Sequence, residues 1–152
     1  MLASLAPVRI EKSIIIARAP EQVWEFIADA RNDPRWCEKV VSVEQVAGEG
    51  PGPGARYRAL HRPRPFKPPV SLAIEVAEFL PPHRLRWREE DADGVFDVAY
   101  TLVPAKNGTR LSQLDDIDWK IPALARPVAR LMVSRDLARQ FAALKQLLEA
   151  DA

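Results

Sequence analysis

Between Val40 and Ile117 the chain reads as six successive strands with no helix-length segment between any two of them. β-Branched and aromatic residues fill Val40 to Val46, Ala55 to His61, Val70 to Phe79, Arg84 to Glu89, Val95 to Val103 and Thr109 to Ile117. The breaks carry turn chemistry: Gly48 to Gly54, Pro63 to Pro69, Pro81-Pro82, Asp93-Gly94 and Asn107-Gly108. Parallel neighbours need long crossovers, so connections this short dictate antiparallel pairing. An earlier strand is predicted from Val8 to about Arg18, with Arg9, Glu11 and Lys12 facing solvent. Pro20 and Glu21 then suit the start of a short helix that buries Val23, Trp24 and Ile27 and closes at Asp29. Asp33-Pro34 predicts the cap and first turn of a second short helix carrying Trp36 and Cys37.

The other constraint is the end of the chain. Ile121 to Glu149 reads as one amphipathic helix about 40 Å long, with Pro122 in its first turn. Leu124, Val128, Leu131, Ala138 and Ala142 make one apolar stripe, and Leu137, Phe141, Leu144 and Leu148 a neighbouring one. A face that broad must be buried against something. The expected fold is therefore α+β: a seven-stranded curved antiparallel sheet wrapped around a long C-terminal helix, with two short helices after strand 1. A rod of this length can shut one side of a sheet and leave a space between.

Composition sets the class. The 152 residues are 47% hydrophobic and 28% charged, which fits one domain over 1–152 that buries roughly 70% of its unfolded surface, with 1–7 a loose N-terminus. Lys and Arg number 22 against 21 Asp and Glu, so no global field favours nucleic acid. One cysteine, Cys37, excludes an internal disulfide and a cysteine-based metal site. The charges at Arg9, Glu11 and Lys12 come too early for a signal peptide, and no stretch approaches the roughly 20 apolar residues of a transmembrane segment. The expected compartment is cytoplasmic.

Several local patterns point to a known superfamily. Ala19-Pro20 is followed by Val23-Trp24, Phe26-Ile27, Asp29 and Trp36; later come Gly54-Ala55-Arg56-Tyr57, Arg84-Leu85 with Trp87, and Gly108-Thr109-Arg110-Leu111. In these the chain resembles, over nearly everything after Pro7, the START-like or Bet v 1-like (SRPBCC) helix-grip superfamily, in its polyketide cyclase/dehydrase branch. The resemblance implies a cavity between sheet and long helix that takes a lipid, polyketide, quinone, hormone or other hydrophobic molecule. It implies no universal catalytic residue, and the branch name is not by itself an activity; no cofactor is expected. Ring-hydroxylating oxygenases share the superfold, but their cysteine and histidine ligands are absent here.

Strand alternation, phased by Leu111 between polar Arg110 and Ser112, selects the inward side chains. They are Tyr57, Ala59 and His61; Leu72, Ile74 and Val76; Leu85, Trp87 and Glu89; Phe96, Val98, Tyr100 and Leu102; and Leu111, Gln113, Asp115 and Ile117. With Trp36 and with Leu124, Val128, Leu131 and Arg135 of the helix, most of these form the predicted ligand-binding cavity. The polar members His61, Glu89, Gln113, Asp115, Arg135 and the tyrosine hydroxyls are the groups able to orient a ligand. Asp115 and Arg135 either pair across the cavity or hold a polar ligand end. The plainer alternative, favoured by how seldom aspartate is buried, turns Asp115 outward beside Asp116 and Asp118.

Asp115, His61 and Tyr100 are the weak catalytic candidates. His61 is a possible general base or ligand donor, yet reads more simply as a histidine at a strand rim beside a basic loop. Only His83 joins it, in a turn, and no metal-ligand spacing is present, so no metal is expected. Cys37 beside Trp36 reads as small apolar packing, and Ser112 and Ser134 lack a nucleophile motif. Pro51 and Pro53 remove amides that a phosphate cradle would need from the Gly48 to Gly54 loop, which resembles in position the glycine-rich loop of plant relatives and reads as a connection. Arg62, Arg64 and Lys67 make the next loop basic, either a portal flank or a solvated connector. Three readings follow: a carrier of a small hydrophobic ligand, a polyketide cyclase/dehydrase-like enzyme using the same cavity, or a protein-interaction domain. Binding leads because no candidate base has a clear partner in the sequence, and ligand identity and oligomeric state stay open at this stage.

Overall fold

The computed structural model describes residues 7–150. Apart from Pro7, the expected loose N-terminus therefore lies outside the described residues. Seven strands form one antiparallel sheet: β1 (Val8–Ile16), β2 (Val40–Ala47), β3 (Arg56–His61), β4 (Val70–Leu80), β5 (Arg84–Asp91), β6 (Gly94–Ala105) and β7 (Gly108–Trp119). Their order across the sheet is β1-β7-β6-β5-β4-β3-β2, so β2 to β7 run as a meander and β1 closes the far edge beside β7. The curved sheet grips the C-terminal helix, as expected.

The two strongest turn signals act differently from a simple Asn-Gly loop. Ala105 pairs with Gly108 and Asp91 with Gly94, so each glycine opens the next strand, one position beyond its two-residue loop. Asn107 itself carries the positive φ of 64°. Gly108 is needed for space: a Cβ there would stand 2.1 Å from the Ile16 carbonyl oxygen.

Helix α1 (Pro20–Ile27) buries Val23, Trp24 and Ile27, and Gln22 Oε1 reaches back to the Ala19 amide at 3.1 Å. The second helix differs from expectation. It is a 3₁₀ segment, Ala30–Arg35, capped by Asp29, whose carboxylate accepts from the Arg31 amide at 3.0 Å. Asp29 therefore starts the second element instead of closing the first. Asp33 is left free of capping duty, Pro34 falls inside the segment, and Trp36 and Cys37 follow it into the core.

The terminal helix also starts later than expected. Ala123–Ala125 forms a 3₁₀ turn, and helix α2 runs over Arg126–Ala150, with Pro127 instead of Pro122 in its first turn. Its buried residues are Leu137, Phe141, Leu144 and Leu148. The stripe of Leu124, Val128, Leu131, Ala138 and Ala142 faces outward, with Leu124 95% exposed. Two adjoining apolar stripes fit one helix, and the sheet takes only one.

Polar contacts fix α2 in place. Lys145 Nζ donates to the Ile15 carbonyl at 2.7 Å and pairs with Glu149 at 2.8 Å, while Glu149 accepts from the Ala17 amide at 3.1 Å. Nearer its start, Asp136 pairs with Lys39 at 2.6 Å and also with Arg139. Phe141, Leu144 and Leu148 join the main core with Tyr57, Trp87 and Leu111, whereas Leu137 belongs to a smaller cluster with Ile10 and Ile117. Among the described residues no helix is long and apolar enough to cross a membrane.

Candidate functional site

Inward side chains of six neighbouring strands leave the centre of the sheet unfilled where α2 passes over it. The result is a recess of about 200 Å³. Its apolar wall comes from Val40 on β2, Ala59 on β3, Leu72 and Ile74 on β4, Phe96 and Val98 on β6, Ile117 on β7, and Val133 and Leu137 on α2. Polar groups interrupt that wall at Glu89, Tyr100, Gln113 and Asp115 from the sheet, Asp33 and Lys39 from the segment around the 3₁₀ helix, and Asp136 and Gln140 from α2. A hollow of about 250 Å³ on the outer face of β3 to β5 is bordered by Arg56, Arg58, Glu75, Arg88 and Glu90, and Arg56 and Glu75 pair there at 3.8 Å. Those charges make it a solvated groove.

Nine of the predicted cavity residues line the recess: Ala59, His61, Leu72, Ile74, Phe96, Val98, Tyr100, Gln113 and Asp115. Trp36, Tyr57, Val76, Trp87 and Leu111 also point inward but are consumed in the packed core, with Tyr57 and Trp87 meeting edge to face at 6.0 Å between ring centres. Leu124, Val128, Leu131 and Arg135 are on the exposed side of the terminal segment and do not reach the recess. The helical wall comes from Val133, Asp136, Leu137 and Gln140 instead. The spacing of Val133, Leu137, Gln140 and Leu144 marks that face, and the apolar stripe through Leu124 obscured it.

Asp115 and Arg135 do not meet. Asp115 is only 7% exposed and faces the recess, contrary to the plainer outward reading, with Asp116 and Asp118 turned away. Its partner is Gln113, whose Nε2 donates to Asp115 Oδ1 at 2.9 Å. The other carboxylamide atom, Gln113 Oε1, is buried with no hydrogen-bond partner. His61 sits on the wall with Nε2 3.1 Å from Asp91 Oδ2, and Asp91 also accepts from the Asp93 amide at 2.7 Å and the Gly94 amide at 3.1 Å. The histidine is thereby tied to the turn that joins β5 to β6.

Burial governs the electrostatics. Half-buried Asp33 and Glu89 are each pushed up to about 8, chiefly by loss of water, with Asp29 adding repulsion at Asp33, and Asp33, Asp115 and Asp91 adding it at Glu89. The neighbouring Trp36 indole N–H opposes the shift at Asp33 without closing a hydrogen bond. Asp115 rises to about 6, burial outweighing the Gln113 hydrogen bond. Burial likewise raises the Tyr100 phenol and the Cys37 thiol well above their usual ranges, which keeps the thiol protonated and poorly nucleophilic. Asp33 was read in the sequence only as a cap. It lies in no strand, so alternation gave no hint of its direction.

The loops flank this geometry without lining it. Gln45 clasps Gly50, donating from Nε2 to the Gly50 carbonyl at 2.9 Å and accepting from its amide at 3.1 Å. That contact engages one of the glycine-loop amides internally. The basic loop is joined to the recess wall through the Arg62 amide and Lys39 carbonyl at 2.7 Å, and its Phe66 is 98% exposed.

The sequence matches the family described as polyketide cyclase/dehydrase and lipid transport over residues 7–149. The chain belongs to that family. No curated protein matches it. Solved structures in the START and Bet v 1 superfamily share the fold of this polyketide cyclase/dehydrase-like chain. A START superfamily protein from Mycobacterium smegmatis superposes with a TM-score of 0.81 at 15% identity, covering 95% of this chain and 99% of its own. A protein from Thermus thermophilus gives 0.78 at 19% identity over 95% and 99%. The protein Ara h 8.0201 gives 0.74 at 14% identity over 94% and 98%. At these identities the likeness concerns the fold, and the site rests on this chain's own residues.

Proposed function

We propose that this protein binds a small, mostly apolar molecule in the recess between sheet and α2, and carries or sequesters it, with the cytoplasm as its compartment. The observation carrying this reading is a wall of aliphatic and aromatic side chains interrupted by a few inward polar groups, the usual make-up of a small-molecule site. A guest that hides about 150 Å² of apolar surface gains on the order of 4 kcal/mol from leaving water, and the polar groups then decide which guest is kept. Drug-sized sites usually hold roughly 300–1,000 Å³. The recess, at about 200 Å³, suits a single-ring guest, or a larger one once α2 moves outward.

Mass spectrometry of the native protein, followed by extraction and analysis of small molecules, tests the reading. A retained apolar compound is expected, and Val98→Trp, which fills the recess, should lose it. A wild-type protein that retains nothing, or retention unchanged in Val98→Trp, would count against the proposal.

A second reading, a cyclase/dehydrase-like enzyme, draws on Glu89, Asp33 and Asp115 sharing one recess with Tyr100. Carboxyl groups that hold protons near neutrality are suited to donating them to a reacting carbonyl or hydroxyl. Turnover of a β-hydroxy-carbonyl compound that falls at least 100-fold in Glu89→Gln while binding persists would favour it over carriage.

A further inference from the structure

Taking the recess as a binding site, we infer that its apolar guest carries a protonated amine, seated among Gln113, Asp115 and Glu89. The first observation is an acceptor without a donor. Gln113 is 4% exposed and lines the recess, its Nε2 is committed to Asp115, and its Oε1 has no partner. The bond to a carboxylate fixes which end of the amide is oxygen. A buried acceptor left in this state is unfavourable, and a guest bearing an N–H relieves it.

The second observation is the distribution of charge around that atom. Both basic groups on the wall are already engaged, Lys39 by Asp136 and His61 by Asp91. Asp33, Glu89 and Asp115 have no ion-pair partner among the described residues. A guest ending in carboxylate or phosphate would meet acids and no available cation. A hydroxyl would satisfy Gln113 and leave Asp115, raised only to about 6 and so ionised at neutral pH, without a counter-charge. An ammonium supplies three donors and the missing positive charge together. Among the described residues no three acidic, histidine or cysteine side chains converge closely enough to hold a metal ion.

Proton linkage gives the inference its signature. The remaining titratable groups on the wall, Tyr100 and Cys37, are neutral when protonated and add no positive charge. With Asp33 and Glu89 near 8, the empty recess keeps protons on these acids at neutral pH. An entering ammonium favours the carboxylate and expels a proton, so its affinity rises with pH. For one such group the gain between pH 7 and pH 9 is about tenfold. A guest that accepts a hydrogen bond from a protonated carboxyl shows the opposite trend.

The test uses the full chain and three probes with one ring and different ends: cyclohexylmethylamine, cyclohexylmethanol and cyclohexanecarboxylate. Calorimetry at pH 7 and pH 9 should show the amine binding at least tenfold more tightly than the alcohol. Its affinity should increase by up to about tenfold at the higher pH. In Glu89→Gln, checked for native circular dichroism, the preference for the amine over the alcohol should shrink severalfold. Equal binding of amine and alcohol, tightest binding of the carboxylate, or amine affinity that falls with pH would each overturn the inference and leave recess binding intact. Binding of none of the three would overturn both.

Discussion

Glu89 occupies an inward strand position that an aliphatic residue would fill at less expense, and its chemistry follows from that position. Its native value of about 8 lies above the roughly 4.3 of an unfolded glutamate, as the value for Asp33 lies above that of an unfolded aspartate. Between those limits the unfolded chain binds fewer protons than the native one, so stability falls as pH rises from about 4 to about 8. Thermal unfolding should show a lower midpoint at pH 8 than at pH 5. Glu89→Gln should flatten that decline and be more stable than wild type at pH 8 by roughly 1–3 kcal/mol, after allowance for water reaching the recess. A slope unchanged by the substitution would show that Glu89 ionises freely. Gly108→Ala places a methyl group against the Ile16 carbonyl and should cost about 1–3 kcal/mol in urea unfolding. At this scale the sequence was informative where period-two alternation applies. Alternation from Leu111 put Gln113 and Asp115 inward, and both are, although for Asp115 the rarity of buried aspartate favoured the outward reading; their mutual hydrogen bond was not expected, because side chains at i and i+2 share a face without any sequence signal that they touch.

Elements carry information that single residues do not, and α2 shows the difference. Leu144→Ala should destabilise by about 2–5 kcal/mol, since Leu144 is fully buried, whereas Leu131→Ala should stay within about 0.5 kcal/mol of wild type. Equal losses in denaturant titrations would mean that the helix presents its other face to the sheet. Lys39→Met removes the pair that holds the first half of α2 to the segment before β2. Amide exchange should then quicken over residues 126–136 and hardly change around Leu144, which the core secures. The existence and apolar nature of this helix were legible from spacing. Its phase was not: the stripe through Leu124 and Val128 is as hydrophobic as the one through Phe141, and only the sheet decides between them. The start at Arg126 was hidden for a related reason, because both Pro122 and Pro127 suit a first turn.

For the whole molecule, the arrangement of strands was readable because tight turns leave a meander almost no freedom, and the observed order β7-β6-β5-β4-β3-β2 is what those turns require. The recess was legible only in part. Its sheet side follows from alternation, but Asp33 comes from an irregular segment and Asp136 from a helix face whose direction was ambiguous. Three stretches distant in sequence must fold together before these groups become neighbours. Binding should therefore appear as global stabilisation: a guest at 100 times its dissociation constant should add about 2.7 kcal/mol and raise the melting temperature, and Val98→Trp should abolish the shift. The asymmetry of α2 bears on how such a guest gets in. Lys145 and Glu149 bolt the final turns to the end of β1, while Val128, Leu131 and Met132 stand in water along the opening turns. A door hung in this way has its hinge at the carboxyl end and its latch near Val133, where Lys39 holds Asp136, so a guest too wide for the threshold would enter by releasing that latch.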